Sequence, residues 1–152
     1  MAVSDELVEA FSEAVPFALR EMAGVEAVVR DSGPATTADG SADLAATVRL
    51  TTAVSEGRFT LSLPAATAAE MARRVLTGTT DDVSADLVRD CAGEVANVVA
   101  GQAKALLVGS PCHFALSTPT VRAGGPADPE AGWVIRFESD AGPFAVHLSA
   151  LS

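Results

Sequence analysis

The stretch DCAGEVANVVAG, residues 90–101, sets Asp90, Glu94 and Asn97 into a run otherwise made of Ala, Val, Gly and Cys. Apolar residues continue at helical spacing on both sides, which predicts a helix from about residue 84 to about 107, capped by Asp82 or Ser84. At 100° per residue, Asp90, Glu94 and Asn97 stand at about 0°, 40° and −20° on the helix wheel. Asp86, Gly101 and Lys104 join them at about −40°, 20° and −40°, so the group fills a sector of roughly 80°. Val88, Cys91, Ala92, Val95, Ala96, Val98, Val99, Ala103 and Leu107 take the rest of the surface. The pattern predicts a helix buried on most sides and open along one narrow strip. A solvated face on an amphipathic helix is one reading of that strip. Asn, however, is a poor helix former, and a strip kept for solubility favours Lys, Glu and Arg. An amide one turn from a carboxylate, with Gly101 leaving room beyond it, also fits a surface made for close approach.

Working outward, AATAAEMARRVLTG (65–78) reads as an amphipathic helix closed by Gly78. Before it, LAATVRLTTAV and RFTLSLP, joined at Ser55-Glu56-Gly57, read as a hairpin that Pro64 ends. Val48, Leu50 and Thr52 alternate with Arg49 and Thr51, and Phe59, Leu61 and Leu63 with Thr60 and Ser62, predicting one buried face and one wet face. At the N-terminus, Ser4-Asp5-Glu6 starts a helix whose stop is Gly24, and Pro16 should kink or split it. VEAVVRD (25–31) is a short strand candidate, and residues 32–42 form a polar loop. After the long helix, CHFALSTP (112–119) looks extended and 122–132 reads as a loop. WVIRFES and FAVHLSAL form a second hairpin around Asp140-Ala141-Gly142. Helices mixed with antiparallel hairpins over 152 residues predict a single α+β domain, 1–152.

Composition removes several function classes. The net charge is −10, and Lys104 and nine scattered Arg form no basic run. Phosphate-backbone binding needs clustered cations, so neither nucleic acid nor an anionic membrane is an expected partner. The opening MAVSDELVEAF lacks the basic-then-apolar plan of a signal peptide, and no window approaches the roughly 20 apolar residues of a membrane span. A cytoplasmic protein is the economical reading. Cys91 and Cys112 are expected as free thiols, Cys91 within an apolar helix.

The spacing Asp90-x-x-x-Glu94-x-x-Asn97 resembles the [Asp/Ser]-x-x-x-Glu-x-x-Asn signature of the CheC/CheX family of chemotaxis phosphatases. The surroundings agree with it. GEVANVVAGQAKALL is similar to the signature helix of CheX-type proteins, and FTLSLPAATAAEMARRVLTG to the strand–Pro–helix–Gly block that precedes it. LVEAFSEAVPFALREMAGVEA resembles their first helix, and STPTVRAG the segment that follows the long one. Pro119 comes 22 residues after Asn97, where the family has about 23. A single copy of the signature points to the CheX type rather than the two-site CheC type.

The resemblance implies a central antiparallel sheet packed with long helices. It also implies hydrolysis of the aspartyl phosphate on a response-regulator receiver domain. The receiver would supply the phosphoaspartate, a lysine and Mg²⁺, so no cofactor of the chain's own is expected. Asn97 would orient the attacking water, since a carboxamide accepts and donates hydrogen bonds without useful basicity. Glu94 would reach the receiver's lysine, and Asp90 and Gly101 would lie in the partner contact. The alternative is a non-catalytic receiver-binding adaptor of the same fold. A related flagellar switch component is disfavoured because no further domain follows residue 151. Homodimerisation is common among CheX-type proteins, and WVIRFES is a candidate edge strand for it.

Other reactive side chains point elsewhere. His113 and His147 lie in strand patterns without carboxylates at ligand spacing, and satisfied structural histidines are expected. Cys112 and His113 are strand neighbours facing opposite ways, which argues against a dyad. Residues 123–126 read as a turn, and no Cys/His/Asp cluster has zinc spacing, so no metal site is expected.

Overall fold

The computed structural model describes residues 3–76, 83–126 and 132–149. Gly78, Asp82, the 127–131 part of the expected loop and the last two residues of FAVHLSAL lie outside them. Helix α1 (Asp5–Ala23) starts after Ser4 and stops at Gly24, whose φ of 62° lets its N–H turn back to Arg20. Pro16 does not split it. Pro16 and Ser12, the residue one turn before it, are both half-exposed, so the carbonyl that Pro16 leaves without a donor is not sealed in the core.

Among the described residues seven strands form one sheet, six of them in the order β1 (Ala27–Pro34), β6 (Trp133–Ser139), β7 (Phe144–Ser149), β3 (Glu56–Leu63), β2 (Leu44–Thr51), β4 (Ala115–Leu116). The seventh, β5 (Thr120–Ala123), pairs β2 beside β4, and every pairing is antiparallel. The first strand thus runs past the expected 25–31 into the polar loop, which also holds a 3₁₀ turn at Thr37–Gly40. The first hairpin turns at Thr52–Ser55, where Thr52 N–H donates to the Ser55 carbonyl, so Glu56 and Gly57 belong to β3. Arg122 and Ala123, expected in a loop, extend β5 along β2. WVIRFES is no edge: β6 is paired by β1 on one side and β7 on the other.

Residues 44, 46, 48 and 50 of β2 and 59, 61 and 63 of β3 share one core with α1, α2 (Ala65–Val75) and α3 (Ala85–Leu106). Phe11 of α1 meets Phe59 with ring centroids 4.7 Å apart. The opposite face is not simply wet. Thr60 and Ser62 are buried, flanked by Thr47 and His147 and by Ala45 and Ala145. The loop carrying Asp39 folds over this face and is tied there by Arg136, 2.9 Å from the Asp39 carboxylate.

Candidate functional site

Helix α3 is well specified at its start. Ser84 is the cap, its hydroxyl accepting from Leu87 N–H at 3.2 Å. Cys91, Ala92, Val95, Ala96, Val99, Ala100 and Ala103 are buried, and Asp86, Asp90, Glu94 and Asn97 are exposed, as the wheel predicts. The open sector is wider than expected, because Leu87, Arg89 and Val98 are exposed too. Small buried side chains let the helix lie close to the sheet, so its polar edge stands beside the β4–β5 chain.

That chain makes a wall. Ser117 is pinned to β2: Arg49 N–H donates to its Oγ at 2.8 Å, and Ser117 N–H donates to the Arg49 carbonyl at 3.0 Å. Two groups on α3 then hold the wall against the helix. Arg89 Nη2 donates to the Val121 carbonyl at 3.0 Å. Gly93 admits Val121, whose Cγ2 lies 3.2 Å from where a Cβ would stand. Beyond these contacts the surfaces part into a groove of about 750 Å³, lined by Asp90, Glu94 and Asn97 on one side and Leu116 to Pro119 on the other. Asp90, Glu94 and Asn97 are therefore together and reachable. Gly101 is not among the groove-lining residues; it is half-buried one turn farther on, with open space where a side chain would go.

Sequence reading missed the wall's contribution: Arg89, Gly93, Thr118 and Val121 line the groove. The available signal was Gly93, a helix-weakening residue in mid-helix that needs a packing reason. The groove offers the carboxylates of Asp90 and Glu94, the Asn97 amide, the Arg89 guanidinium and the hydroxyls of Ser117 and Thr118. Burial, with the Glu94 charge adding to it, pushes the Cys91 thiol up and keeps it protonated. Cys112 is also a free thiol, with its Sγ 3.3 Å from Ser4 Oγ.

His147 departs from expectation: it is buried, and neither ring nitrogen has a hydrogen-bond partner. His113 is exposed ahead of β4 rather than in a strand. Among the described residues, no three His, Cys, Asp or Glu gather as a metal site requires, and no helix is long and apolar enough to cross a membrane.

Known structures share this architecture. The chemotaxis protein CheX of Vibrio vulnificus is 22% identical with a TM-score of 0.82, over 95% of this chain and 98% of that one. A CheX from Desulfovibrio desulfuricans is 23% identical with a TM-score of 0.81, over 97% and 99%. The Borrelia burgdorferi structure of a CheX–CheY–BeF3–Mg²⁺ complex matches at 20% identity and a TM-score of 0.73, over 93% and 96%. At these identities the likeness is one of fold. No curated protein matches the sequence. Residues 44–138 match the family model of the chemotaxis phosphatase CheX, more than half of the chain and including α3 with its groove-lining residues. The chain belongs to the CheX family of chemotaxis phosphatases.

Proposed function

We propose that this protein hydrolyses the aspartyl phosphate of a response-regulator receiver domain in the cytoplasm, with Asn97 as the water-orienting group. The observation that carries the reading is the exposure of Asn97 and Glu94 side by side in an open groove. The CheX–CheY complex of the Borrelia burgdorferi relative supports a receiver as the partner.

An acyl phosphate is already activated, so placing a water in line with phosphorus is the main task left. The Asn97 carboxamide oxygen accepts a hydrogen bond from that water, and its NH₂ donates to a phosphoryl oxygen. As the water oxygen bonds to phosphorus, the bond to the aspartyl oxygen breaks. The receiver keeps a carboxylate, and both protons of the water leave with inorganic phosphate, as dihydrogen phosphate. Glu94 pairs with the receiver's lysine and fixes the docking. Asp90 lies at the margin of the contact, and Gly101 leaves room at its far end. Mg²⁺ and the lysine come with the receiver.

The test is to phosphorylate candidate receivers with a small-molecule phosphodonor and time their decay with and without this protein. Faster decay is expected. Binding without faster decay would select the adaptor reading instead.

A further inference from the structure

The β4–β5 wall closes one side of α3 and leaves the other open. With Asp90 at zero, Gly93 and Arg89 lie at about −60° and −100°, under the wall, while Leu87 and Val98 lie at about 60° and 80°, past Glu94 at about 40°. Along the axis, Leu87 comes about 10 Å before Glu94 and Val98 about 6 Å after it. The two apolar side chains thus bracket the carboxylate on its open flank, 44% and 36% exposed. Isolated exposed apolar residues need no explanation, and Val54 and Val108, outside the helices and strands, are of that kind. Leu87 and Val98 differ because they share one flank of the helix that presents Glu94 and Asn97.

A receiver that brings its phosphoryl group to Asn97 meets Pro119 and Val121 on the walled side, so its bulk must rest on the other. That flank is continuous with the line of Asp86, Asp90 and Glu94, whose charge complements a partner carrying Mg²⁺ and a lysine. We propose that Leu87 and Val98 are apolar docking contacts for the rim of a receiver domain's active site and help set which receiver is accepted. This rests on the proposed function, because the receiver is the occupant.

The experiment titrates CheY-type receiver domains from the source genome, each loaded with BeF3⁻ and Mg²⁺, against wild type, the double variant Leu87→Ser/Val98→Ser and the control Val54→Ser. Wild type and control should bind one receiver alike, and the double variant should bind it roughly tenfold more weakly with unchanged circular dichroism. Wild type that binds no receiver overturns the proposed function and this inference with it. Wild type that binds, beside a double variant that binds equally well, overturns the docking contacts alone. In turnover, the same loss should fall on KM and leave kcat within about twofold; a loss confined to kcat contradicts a docking role.

Discussion

Asn97 carries more of this account than any other residue, and its exposure follows from where the wheel places it, on the side of α3 opposite Val95 and Val99. Its type and position were legible in the sequence, since a short amide in a small-residue helix has few structural reasons to be there. His147 was not legible. Alternation along β7 assigns it to the face away from the helices, and only the fold shows that face covered there. Burial is the main reason its imidazole sits below the ordinary 6.5, with Asp39 opposing the shift and Arg136 adding to it. The unfolded chain then takes up a proton that the folded one refuses. Stability is therefore full above pH 6.5 and falls as pH drops below it. Asp39 acts in a lower window. Burial would raise its carboxyl, but hydrogen bonds from Thr36 and Arg136, and the Arg136 charge, hold it below 3.8. We expect His147→Leu to flatten the decline below pH 6.5. It should also add about 1 kcal/mol at neutral pH by removing two unpartnered nitrogens. Urea unfolding at stepped pH checks both, and an unchanged slope contradicts the assignment.

At the scale of elements, α3 and the β4–β5 chain make the site together, and the sequence disclosed them unequally. A long helix with a cap and 3.6-residue periodicity announces itself. A two-residue strand followed by a four-residue one does not, because β4 and β5 exist through pairing to β2 rather than through any pattern of their own. The same cause hid the burial of Thr60 and Ser62, which depends on a distant loop. Gly93 is where the two elements touch. Gly93→Val would drive a branched side chain into Val121, costing about 1–3 kcal/mol and pushing the wall outward. The expected outcome is a lower melting temperature with slower receiver dephosphorylation at temperatures where the variant is still folded. A variant as stable and active as wild type would show that the wall is not held at this point.

For the whole molecule, the fold class was legible because both hairpins and the helices α1, α2 and α3 carry local signals. The strand order was not, since nothing local says that β6 is inserted between β1 and β7. That order moves the proposed homodimer contact from β6 to β1, the edge opposite the site, where Val28 and Val29 are exposed ahead of a bulge. Val28→Lys should shift a wild-type dimer toward monomer in analytical ultracentrifugation; a wild type that is monomeric at every concentration removes the proposal. Sheet, helices and wall together leave the Asn97 amide exposed beside the Glu94 carboxylate. The most direct measurement is the rate at which a phosphorylated receiver loses its phosphate at saturating wild type, Asn97→Ala or Glu94→Ala. We predict a fall of about a hundredfold or more for Asn97→Ala with the fold intact, and for Glu94→Ala a weaker rate together with weaker binding. Full acceleration by folded Asn97→Ala would contradict the account at its centre.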